Sequence, residues 1–194
     1  MNQLLTSGPV WYLMRASGVV SLVLLTAVSA LGIATTSRLR PGRVPRFVTL
    51  GLHRNISLLA VVFLSVHVLT AILDPDATVR LTAVILPLPS DRYGLWLGLG
   101  ALALDVIIAL VVTSLLRQHL APRVWRALHY LAYLAWPVAL VHGAGIGTDS
   151  GTLWMVAVDA GCVAIFGAAI AVRLLTAPSP ASKHLSPPRV RVAP

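Results

Sequence analysis

Four histidines set in two apolar runs are the residues of this chain best suited to chemistry. His53 and His67 stand fourteen residues apart in GLHRNISLLAVVFLSVHVL, and His129 and His142 thirteen apart in RALHYLAYLAWPVALVHG. Ionisable groups inside hydrocarbon are costly and generally face a bundle interior, a partner or a bound group. An imidazole nitrogen is a good axial ligand for haem iron, and a bis-histidine pair fills both axial positions, favouring electron transfer over substrate binding at the metal. Zinc fits less well, because a structural site wants four ligands together and each pair supplies two histidines with no thiolate nearby. The single cysteine, Cys162, cannot build a disulfide framework, a thiolate cluster or a C-x-x-C-H attachment. Any haem is therefore expected to be non-covalent. Packing or hydrogen bonding can account for a lone membrane histidine, but poorly for four at matched depths. His119 and His184 lack such placement and are expected to face solvent.

The elements that must position these residues follow from composition. Of 194 residues, 57% are hydrophobic and 11% charged, and apolar stretches of about 20 residues recur, enough to cross ~30 Å of hydrocarbon at ~1.5 Å per residue. We expect an all-α integral membrane protein, a five-helix transmembrane bundle with spans at residues 10–35, 48–73, 93–116, 122–145 and 152–175. Residues 1–9 form a short outer N-terminus, 10–176 the haem-binding bundle, and 177–194 a disordered, basic, Pro/Ser-rich cytoplasmic tail. No Lys or Arg precedes the first apolar run, so it is expected to be a retained span rather than a signal peptide.

Loop charge sets the orientation. Arg38, Arg40, Arg43 and Arg46 lie in the first connector, Arg117, Arg123 and Arg126 in the third, and Arg173, Lys183, Arg189 and Arg191 after the last span; Asp74, Asp76, Asp91 and Asp149 lie on the other side. The positive-inside rule then puts the N-terminus outside and the C-terminus in the cytoplasm. The net charge of +9 is explained by topology and anionic lipid, and no basic recognition fold for nucleic acid is visible. Trp11, Trp96, Trp154 and Trp125 fall at span ends, as interfacial aromatics do.

Spans two and four both run outward under this assignment, which puts His53 level with His129 on the inner side and His67 level with His142 on the outer side. The roughly 20 Å between levels suits two stacked haems, an electron wire. Fourteen residues at ~100° each return to within ~40° of one helix face, whereas thirteen miss by ~140°. Span four therefore needs a local change, and Pro137, between its two histidines, predicts tightening or a kink.

These paired motifs resemble the ferric reductase-like transmembrane family, which includes ferric reductases, NADPH oxidases and the haem-bearing subunit of bacterial methionine sulfoxide reductase systems. The resemblance covers most of residues 10–175, and both spacings are similar to the oxidase branch, which carries two b-type haems. It implies iron ligation by His53 with His129 and by His67 with His142. The RAS at residues 15–17 looks like an Arg-Ala motif near the outer haem of the oxidases; Arg15 can pair with a haem propionate or snorkel to headgroups. Arg54 and Arg126 flank the inner histidines and suit either inner propionates or topology. Trp136, seven residues after His129, can sit between the haems or serve helix packing. Asp105 and Asp159 can relay protons, contact a quinone or bond a neighbouring span.

Many relatives continue into a flavin and nicotinamide domain, whereas no glycine-rich fingerprint, and hence no FAD or NAD(P) site, is found here. The expected donor is a separate flavoprotein or membrane quinol, and the acceptor ferric iron, oxygen or an external partner reductase. A di-haem b-type cytochrome of a bacterial plasma membrane is the leading expectation. The alternatives are a quinol-oxidising subunit of a periplasmic oxidoreductase and a non-redox transporter or assembly subunit. The connector at residues 74–92, with its VILPLP segment, is a candidate lid over the outer site.

Overall fold

The computed structural model describes residues 8–36, 45–74, 79 and 94–176. Residues 1–7 of the expected outer N-terminus, the first connector's arginines up to Arg43, almost all of the proposed lid and the tail lie outside the described residues, while Gly8 and Pro9 belong to the first helix. Six α-helices are present among those described: α1 (Gly8–Thr36), α2 (Arg46–Leu73), α3 (Gly94–Leu115), α4 (Pro122–His129), α5 (Ala132–Ile146) and α6 (Leu153–Leu175), with a 3₁₀ turn at Arg117–His119. Four of them, α1, α2, α3 and α6, are long and apolar enough to cross a membrane. In hydrocarbon every backbone polar group must be satisfied within the segment, which makes helices the only choice for open-chain spans. Side-chain hydroxyls obey the same rule. Ser17, Ser21, Thr26 and Thr70 donate to carbonyls four residues back, at 2.6–2.8 Å.

α1 is the central helix. It packs along α2 and also against α5 and α6, while α3 packs on α5. The two helices that carry His67 and His142, α2 and α5, are not closely packed on each other, so a space remains between them. The core cluster is Leu22, Ile33, Trp136, Cys162 and Phe166. Trp136 stacks on Phe166 with centroids 4.0 Å apart at 12°, and its Nε1 donates to Thr26 Oγ1 at 2.8 Å. Outward, Leu58, Leu69, Leu73, Leu115, Leu153 and Leu175 are exposed, a lipid-facing surface rather than one suited to water.

The stretch expected as span four is two helices, α4 and α5, separated at Tyr130 and Leu131. Leu131 N–H donates to Leu128, Tyr133 to Tyr130 and Leu134 to Leu131, at 2.9–3.0 Å. These are i→i−3 bonds, the 3₁₀ pattern, which turns the chain by more per residue than an α-helix does. The tightening expected from the thirteen-residue spacing is present, but it lies directly after His129 instead of at Pro137, which sits inside α5. A proline ring crowds the carbonyl four residues back and offers it no donor. Here that residue is Tyr133, which lies beyond the break, so the break at Tyr130 and Leu131 is a feature separate from the proline.

Candidate functional site

His53 and His67 come from α2, and each reaches across to α1. His53 Nδ1 donates to Val28 O at 3.1 Å and His67 Nδ1 to Met14 O at 2.8 Å. From α5, His142 Nδ1 donates to Trp96 O on α3 at 2.7 Å. A carbonyl can only accept, so Nδ1 carries the hydrogen in all three, and Nε2 is the nitrogen left with a lone pair. Such outer hydrogen bonds fix the tautomer and orientation of metal-binding histidines.

One local rule builds all three seats. Four residues after each accepting carbonyl stands a glycine: Gly18 after Met14, Gly32 after Val28, and Gly100 after Trp96. In a helix that glycine's own N–H bonds the same carbonyl, whose second lone pair takes the imidazole. A Cβ at Gly100 would lie 2.5 Å from His142 Cε1, one at Gly18 would lie 2.9 Å from His67 Nδ1, and one at Gly32 would lie 3.3 Å from His53 Cε1. A side chain there would push the imidazole off its carbonyl. Gly18 and Gly32 repeat at fourteen residues, the His53–His67 interval, so one antiparallel register serves both seats. Glycine spacing and carbonyl acceptors were absent from the sequence-based site; the fourteen-residue glycine interval was the signal that could have found them.

His67 and His142 line one cavity of about 360 Å³, largely apolar, which Arg15, Asp74, Leu104 and Met155 also border. Its size falls in the ~300–1,000 Å³ range of small-molecule sites. At its edge Arg15 Nε donates to Asp149 Oδ2 at 2.8 Å, with side chains 15% and 29% exposed, and the Arg15 guanidinium lies 5.3 Å from the Trp11 ring centre. The residue singled out for its depth thus has a carboxylate partner from the loop between α5 and α6.

His53 and His129 face each other near the opposite end, with ring centroids 6.4 Å apart and planes at 68°. Two metal–nitrogen bonds of about 2 Å each, plus the distance from nitrogen to ring centre on both sides, add to about 6 Å. That separation suits one metal atom between the rings. Trp125 stacks on His129 at 4.9 Å and 21°. Among the described residues no group of three His, Cys, Asp or Glu side chains could hold a metal, so a four-ligand zinc site has no donor set there, whereas two opposed imidazoles fit the axial demand of haem iron.

The remaining sequence-derived candidates lie apart from these pairs. Arg54 is exposed on α2, and Arg126 Nε donates to Pro122 O on its own helix at 3.1 Å. Trp136 is buried in the α1–α5–α6 core rather than bordering the cavity. Among the described residues Asp159 Oδ1, buried on α6, has no partner, and Asp105 is half-buried on α3. His119 is exposed, as expected.

The model of the family described as the ferric reductase like transmembrane component matches residues 17–140, more than half of the chain. The chain belongs to that family. The matched segment contains His53, His67 and His129 and stops two residues before His142; the seat on Trp96 and Gly100 ties His142 to it physically. Among curated proteins and solved structures, none matches the chain. Transmembrane domains of the ferric reductase-like family generally bind haem and work with a redox partner, and membership points to electron transfer within a multi-pass membrane protein.

Proposed function

We propose that this ferric reductase-like chain is a di-haem b-type cytochrome of a bacterial plasma membrane. It crosses the bilayer five times, N-terminus outside and C-terminus in the cytoplasm. It passes electrons from a cytoplasmic-side flavoprotein or a membrane quinol to an external acceptor such as ferric iron, oxygen or a partner reductase. The single observation that carries this reading is the recurrent seat, in which a helix carbonyl and a glycine four residues later hold the Nδ1–H of His53, His67 and His142. Packing histidines have no need of a shared orientation; ligands do.

When bound, haem supplies the one-electron chemistry, and the protein supplies position and potential. His53 and His129 would hold one group and His67 and His142 the other, the second pair bordering the cavity of about 360 Å³. Arg15, steadied by Asp149, presents positive charge at the rim of the His67–His142 site, where it suits a propionate. Arg54 and Arg126 are available to the propionates of the other group. Trp136, held by Thr26 and Phe166, fixes α5 against α1 and α6 between the two levels.

Lipid vesicles enclosing ferricyanide, with dithionite added outside, test the proposal. The haem-loaded chain should consume the enclosed ferricyanide far faster than vesicles holding the haem-free chain. Equal rates, or a purified protein without a Soret band after expression with ample haem, would contradict it.

A further inference from the structure

His53, His67 and His142 are tied to a neighbouring helix; His129 is not. Its Nδ1 is buried and has no partner among the described residues.

What holds His129 is an aromatic face. Trp125 stacks on the ring, and Arg117 lies 4.6 Å from the centre of that indole. Stacking constrains the plane of an imidazole, but not which nitrogen carries the hydrogen. The backbone also changes immediately after His129, where α4 stops and the i→i−3 turns through Tyr130 and Leu131 begin. Loss of an outer hydrogen-bond partner typically weakens metal affinity by about ten- to hundredfold. His53, opposite, retains its bond to Val28.

We propose that the His53–His129 level is a ligand-exchange site: His129 is the exchangeable axial ligand, and a small π-acceptor molecule of the carbon monoxide class takes its place when the ring turns away at the Tyr130–Leu131 break. This rests on the two-haem reading above. His53 keeps the iron while His129 is displaced. The His67–His142 level, seated at both ligands, excludes the same molecule.

Carbon monoxide binding to the full, haem-loaded chain in lipid nanodiscs, reduced with dithionite, is the test. One of two haems should bind carbon monoxide and the other keep its six-coordinate spectrum. Trp125→Ala and His129→Ala should each speed binding at that haem about tenfold or more, in line with the weakened ligand. Carbon monoxide on neither haem, or equally on both, overturns the proposal, as does an unchanged rate in both variants. If neither variant folds, the wild-type stoichiometry decides alone. A preparation without a Soret band overturns the two-haem reading itself, an outcome distinct from two haems that both refuse carbon monoxide.

Discussion

The two ends of this bundle use the same side chain with different support. At the His67–His142 end, both imidazoles are seated on carbonyls of adjacent helices, and a cavity of about 360 Å³ lies between them. At the other end, a seated His53 faces a His129 that rests on Trp125 beside a helix break. The contrast teaches that placing a histidine and fixing its ring are separable. Spacing alone brings the histidines to matching levels, while a free carbonyl and a missing Cβ decide whether a ring is locked.

The comparison breaks most visibly if the two members of the weaker level are equivalent. His53→Ala should abolish one of two haem equivalents, whereas His129→Ala should retain most of that haem on His53; haem-to-protein ratios measure both. Equal losses would remove the distinction. Next in size is a pair of glycine substitutions. Gly100→Ala puts a methyl 2.5 Å from His142 and should weaken one haem by about ten- to hundredfold, the usual loss when an outer hydrogen bond is broken. Gly32→Ala, at 3.3 Å from His53, needs only a small shift and should cost less than about tenfold at the other haem, the lower end of that range. Haem titration of the two variants ranks them.

A smaller effect is expected at the rim. Asp149→Asn removes the carboxylate beside Arg15, leaving positive charge that disfavours the oxidised iron. The midpoint potential of one haem should rise, by less than about 60 mV, a tenfold one-electron change, because the pair is partly exposed and such pairs contribute little. A redox titration in which both potentials move together would count against the placement of Arg15. Trp136→Phe should be the mildest. It deletes the bond to Thr26, with a cost of about 0.5–1.5 kcal/mol in thermal or denaturant stability, and should leave haem content unchanged.

The apolar runs announced α1, α2, α3 and α6 to within a few residues, because hydrocarbon admits so few backbone solutions, whereas the fourth expected span is two helices. The four histidines stood out in those runs because ionisable groups are costly in hydrocarbon. The seats did not, since a backbone carbonyl leaves no mark in a sequence and a glycine in an apolar run looks like any small packing residue. Pro137 signalled a disturbance in the fourth stretch, but the break stands at Tyr130 and Leu131, beside His129, while Pro137 sits inside α5. Asp149 counted only as loop charge until the fold brought it to Arg15. Trp125 read as an interfacial aromatic, and its stacking on His129 becomes visible only once α4 is seen as a separate helix.

The central claim is that two haems lie between α2 and the α4–α5 pair. Haem quantification on the purified full chain, beside His142→Ala, tests it most directly. Two equivalents per wild-type chain, falling to one in the variant, is the predicted result. No haem in the wild type, or an unchanged content in His142→Ala, would contradict it.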